Sequence, residues 1–65
     1  MCLATVYDGS RAPDRVLCRN ITYIAVDGDK ITLTDILGAE TVYRGRIVSA
    51  ELNGGTVILD KEATA

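Results

Sequence analysis

Ile21-Thr22-Tyr23-Ile24-Ala25-Val26-Asp27-Gly28-Asp29-Lys30-Ile31-Thr32-Leu33-Thr34 is the stretch that decides the fold. Two runs rich in Ile, Val, Thr and Tyr flank an Asp-Gly pair. Such residues fit a pleated, half-buried surface, and Asp-Gly between apolar runs is among the strongest local hairpin signals. The stretch therefore predicts a strand over 21–26, a turn at Asp27-Gly28-Asp29, and a returning strand over 30–34 with Ile31 and Leu33 on one face.

Working outward, the same grammar repeats. Thr41 to Leu52 reads as one long strand, with Gly45 predicted to mark a bulge or bend. Asn53-Gly54-Gly55 is a second hairpin signal, and 56–60 is the last strand, with Val57 and Leu59 opposed to Thr56 and Ile58. Towards the N-terminus, 8–14 carries Gly9, Ser10 and the only proline, Pro13, which is loop chemistry. Residues 15–18 begin a short strand or a turn, with Val16 and Leu17 expected to reach the core. Met1-Cys2-Leu3-Ala4-Thr5-Val6-Tyr7 is the first strand, with Cys2, Ala4 and Val6 on one face. Residues 35–40 read as a bend and 61–65 as a frayed tail. The sum is about five short strands without a convincing helix, in one domain over residues 1–65. Closure into a barrel, or pairing with another subunit, would remove the exposed edges of so small a sheet.

The chain has 65 residues and a net charge of −2. A domain of this size buries only roughly 60% of its unfolded surface, so a staple is expected, whether disulfide, metal or oligomer. Two cysteines, one near the N-terminus and one in mid-chain, do not make the framework of a secreted domain. No basic region followed by an apolar run opens the chain, and no apolar stretch approaches the ~18 residues that span a bilayer. The expected setting is the cytoplasm, with reduced thiols and no membrane. A Cys2–Cys18 disulfide is open geometrically but not expected there.

The composition excludes much chemistry. With no histidine, neither a Ser-His-Asp nor a Cys-His arrangement can form, and no glycine-rich phosphate loop is present; an enzyme is not expected. Asp27, Asp29 and Asp35 lack calcium-loop spacing and read as turn residues. Arg44 and Arg46 point the same way, but the mild negative charge opposes nucleic acid, which is not an expected partner. Tyr7, Tyr23 and Tyr43 are expected in the core or at a subunit contact.

Cys2 carries the chemical signal. The amine of Met1, the amide of Cys2 and the thiolate of Cys2 can chelate one ion through two five-membered rings. Thiolate and nitrogen donors suit a soft or borderline metal, and square-planar geometry suits Ni(II) or Cu(II). The plain reading is that Cys2 is a small buried hydrophobe. Removal of Met1 would leave an amine–thiolate pair on Cys2 itself, and the Met1 thioether is a further donor. One cysteine per chain is too few for a closed four-ligand site, but a two-fold dimer supplies every ligand twice. Cys18 reads as a packed or half-exposed thiol.

The opening Met1-Cys2-Leu3-Ala4-Thr5-Val6, the length, and the closing Asn53-Gly54-Gly55-Thr56-Val57-Ile58-Leu59 resemble the CooT family of small nickel-binding proteins. That family is associated with maturation of nickel carbon monoxide dehydrogenase. The resemblance implies an SH3-like barrel of five to six antiparallel strands, a homodimer, and Ni(II) held through Cys2. It also implies work as a nickel chaperone for a nickel metalloenzyme or its maturation factors. Two other classes stay open, an RNA-binding small barrel and a protein-interaction module with no ligand.

Overall fold

The structure is a computed structural model and describes residues 3–61. Five strands follow one another: β1 Ala4–Asp8, β2 Val16–Asp27, β3 Lys30–Asp35, β4 Glu40–Glu51 and β5 Thr56–Lys61. They close into a barrel in the order β1-β2-β3-β4-β5. A single 3-10 turn, Pro13–Arg15, sits between β1 and β2. The expected all-β barrel is therefore the observed fold. Its four hairpin seams are antiparallel. The closing seam of β1 and β5 is parallel, with Val6 opposite Val57 and Tyr7 opposite Ile58. An up-and-down meander of an odd number of strands brings its first and last strands together running the same way, so this seam follows from the count.

Alternation along the strands builds the core. Val6, Ile21, Ile31, Leu33, Val57 and Leu59 are buried, and Ala4, Cys18, Ile24 and Tyr43 pack against them. Full burial of such an aliphatic side chain contributes about 1.5–3 kcal/mol, so a core of this size leaves a thin margin. β4 contributes no buried apolar side chain; its only buried residue is Gly45. Leu17, expected in the core, is 40% exposed. The alternation of β2 turns Val16 and Cys18 inward and Leu17 outward. Tyr23, also expected in the core or at a contact, lies 64% exposed on the outside.

The long strands bend rather than break. β2 was expected as two pieces, yet it runs continuously, because Asn20 takes a left-handed conformation (φ 59°) that asparagine tolerates. Ile21 then pairs with Ala4 on one edge and with Asp35 on the other. In β4 the bulge falls between Ile47 and Ser49 rather than at Gly45. Gly45 is required for a different reason: a methyl group there would run into the Asp60 carbonyl and lie 2.8 Å from Tyr43 Cε1. The β2–β3 hairpin has Gly28 and Asp29 as its two loop residues, with positive φ at Gly28 alone, the pattern of a II′ turn.

Candidate metal centre

β1 starts beside the β4–β5 turn. The Thr5 amide donates to the Gly55 carbonyl at 2.8 Å, and Ala4 lies opposite Ile21 on β2. A Cβ on Gly55 would stand 2.7 Å from the Leu3 carbonyl oxygen, and its φ is 73°. Only glycine lets the start of the chain lie this close. The turn is held from within by Glu51, whose carboxylate accepts the amides of Asn53 (2.9 Å) and Gly54 (2.6 Å).

Between this turn and the outgoing half of β2 opens a cleft of about 190 Å³. Ala4, Ile21, Ile24, Leu52 and Val57 line it, with Tyr23 and Glu51 at the rim. Its walls are mostly apolar, and it falls below the roughly 300–1,000 Å³ of ordinary small-molecule pockets. Leu52 stands 79% exposed at its edge.

Cys2 and Met1, the expected metal ligands, lie outside the described residues.

The other candidates are accounted for. Among the described residues no group of three or more His, Cys, Asp or Glu is placed to hold a metal ion. Cys18 is half-buried against the core, opposite Val6. The Asp35 carboxylate accepts the amides of Leu37 (2.9 Å) and Ala39 (3.0 Å), closing the β3–β4 turn on itself. Asp29 meets Arg44 at 3.1 Å, and Asp60 meets Arg46 at 3.3 Å, all largely in solvent. Both arginines are therefore on the outer face, as their spacing predicts, and each has an acidic neighbour. Among the described residues no helix is long and apolar enough to cross a membrane.

One polar contact was not foreseen. The Tyr43 hydroxyl donates to Asp8 Oδ1 at 2.9 Å across one end of the barrel. Burial, the bond to Asp8, and the charges of Asp8 and Asp60, in that order, push the Tyr43 phenol up to about 12. Neither residue has a sequence neighbour that announces this pairing.

These features define a small closed β-barrel with an apolar surface cleft beside the start of β1. The family model of CooT, the CO dehydrogenase accessory protein, matches residues 1–60, and the chain belongs to that family. Its fold is that of a crystal structure from Carboxydothermus hydrogenoformans provisionally assigned as CooT. The TM-score is 0.81 and the identity 18%, over 95% of this chain and all of that one. It is also 40% identical over 43 residues to an uncharacterized protein of Archaeoglobus fulgidus, covering 66% of this chain and 96% of that protein.

Proposed function

We propose that this chain is a Ni(II)-binding accessory protein that stores or delivers nickel during maturation of carbon monoxide dehydrogenase, with the metal held through Cys2 at a homodimer interface. The observation that carries the proposal is membership of the CooT family over residues 1–60, which includes the Met1-Cys2 start.

The chemistry of the donor set supports it. A thiolate, a terminal amine and an adjacent amide form a chelate that soft or borderline ions favour. Two copies sharing one ion would supply two thiolates and two nitrogens, a complete square plane. The exposed Tyr23 and Leu52 beside Ala4 give that meeting point apolar surface to bury. A chain-end site built from few donors releases its cargo readily, as delivery demands. The protein supplies no catalytic group in this reading and acts in the cytoplasm, where its thiols stay reduced.

A Ni(II) titration of reduced protein tests the proposal, followed by absorbance and by mass in solution, with Cys2→Ser and Cys18→Ser alongside. The expected result is saturation at one ion per dimer, with thiolate charge-transfer bands lost in Cys2→Ser and kept in Cys18→Ser. Binding that is unsaturable, or identical in Cys2→Ser, removes the nickel reading.

A further inference from the structure

β4 lies between β3 and β5 but never has both beside it. It pairs with β3 through residues 40–44 and with β5 through residues 45–51. In a closed ring a strand has one neighbour on each edge. Past the bond from the Gly45 amide to the Asp29 carbonyl (2.8 Å), the β3-side edge of 46–51 therefore faces no strand among the described residues. Six residues make an open edge of roughly 20 Å at ~3.3 Å per residue. Every one of them is exposed, Ile47 at 39% and Val48 at 53%, and Leu52 follows at 79%. An open, apolar, β-prone edge is a template for pairing with another chain.

We propose that this edge, residues 46–51 of β4, pairs antiparallel with the same edge of a second copy and forms the homodimer contact; the existence of a dimer rests on the nickel reading above, but its location does not. The charges choose the partner and the direction. Arg46 stands at one end of the edge and Glu51 at the other. Antiparallel self-pairing brings the basic end of each copy beside the acidic end of its mate. Parallel pairing would set like charge against like. Both groups retain capacity for this. Arg46 spends one donor on Asp60 and remains 77% exposed, and Glu51 accepts only two backbone amides. A two-fold contact uses both edges at once and closes, whereas a head-to-tail contact would leave an edge to propagate. Of the other half-open edges, 22–27 of β2 ends in Asp27 with no cation at the opposite end and 16–20 carries Arg19 with no acid, while 40–44 of β4 has Glu40 and Arg44 at its ends but is shorter and offers Val42 as its exposed apolar residue, against Ile47, Val48 and Leu52 on the edge chosen. Leu52, at the end of the β4 edge, is also a wall of the cleft at Ala4.

Sedimentation of full-length wild type, Val48→Lys and Ser49→Lys, each with and without Ni(II), tests this. Lysine is the residue natural edges use to refuse pairing, and both positions are exposed, so the variants keep the core; circular dichroism checks that they fold. The expected result is a wild-type dimer whose dissociation constant rises at least about tenfold, a 1.4 kcal/mol loss, in both lysine variants. Amide exchange at 46–51 should slow with protein concentration in wild type alone. A wild type that is monomeric with and without metal overturns the proposal, as does a dimer indifferent to both lysines. Thiolate absorbance in the same samples keeps the two readings apart. A Cys2→Ser protein that loses nickel yet keeps a dimer sensitive to Val48→Lys upholds the edge, and a nickel-binding dimer that ignores both lysines removes it.

Discussion

The Tyr43 hydroxyl and the Asp8 carboxylate meet at 2.9 Å although they lie 35 residues apart. Asp8 ends β1 opposite Leu59 of β5, while Tyr43 lies on β4 opposite Ile31 of β3. The bond therefore ties the parallel closing seam to the middle of the sheet. It also explains Gly45, two residues along β4, where a side chain would press on the Tyr43 ring.

Removing the hydroxyl should loosen that end of the barrel. Tyr43→Phe is expected to cost about 1–2 kcal/mol, the range for a hydrogen bond to a charged acceptor discounted for partial exposure, read as a lower midpoint in urea. The pH dependence gives a second readout. The folded phenol titrates at about 12 against 10.0 when unperturbed. Between those values the unfolded chain has lost its proton and the folded one has kept it, so stability falls as pH rises through this window and is fully present below it. Tyr43→Phe should lack this contribution to the alkaline decline; a decline of unchanged size in the variant would refute the assignment.

Gly45→Ala is expected to be more damaging than a typical exposed-strand substitution. The added methyl meets the Asp60 carbonyl, which is backbone and has no rotamer to yield. Either β5 moves away from β4 or Tyr43 leaves Asp8. Overpacking of this kind typically costs about 1–3 kcal/mol. A urea melt measures it, and weakened protection of the β5 amides would show which of the two gave way.

How much of this was legible in the residues follows from range. The hairpin at Gly28, the turn at Asn53-Gly54-Gly55 and the inward row of Ile31, Leu33, Val57 and Leu59 are all set by neighbours one to four positions away. The continuity of β2 was not, because the strand changes partners at Ile21 and only the tertiary pairing pulls Asn20 into its left-handed turn. Gly45 was singled out as a bulge or bend: β4 does pass from β3 to β5 there, but the bulge falls between Ile47 and Ser49, and the long-range approach of Asp60 that demands the missing side chain was not legible. Leu17 shows the limit of composition, since it looks like a core residue and the pleat turns it outward; Tyr23 is outward as well, which leaves a subunit contact as the one of its two expected places still open. Cys2 and Met1 lie outside the described residues, so the fold adds nothing to the chemistry their sequence suggests beyond the apolar cleft lined by Ala4.

Glu51 should matter through its turn. Its two oxygens hold the Asn53 and Gly54 amides, and that turn sets Gly55 against the start of β1. Glu51→Ala is expected to destabilise by about 1–2 kcal/mol through the unpaired amides. Glu51→Gln retains an acceptor oxygen for one amide and should lose less. Thermal melts rank the three proteins, and equal midpoints for alanine and wild type would show that the turn forms without its cap.

The chelate reading makes one demand that simple thiolate binding does not. If the Met1 amine is a ligand, it must sit one residue before Cys2, because only that spacing closes a five-membered ring with the Cys2 amide. Acetylating the Met1 amine takes it out of the donor set and leaves thiol, amide and barrel untouched. Nickel affinity should then fall by at least about tenfold, equivalent to 1.4 kcal/mol, with no change in the urea midpoint of the metal-free protein. Affinity in the parent protein should also weaken as pH drops, since thiolate, amine and amide must all be free of the protons they exchange for the metal. The acetylated protein, with the amine removed from the set, should show a shallower dependence. Competition against a coloured chelator across a pH series measures both slopes. Equal affinity and equal slope in the two proteins would leave Cys2 as a ligand and remove Met1 from the site.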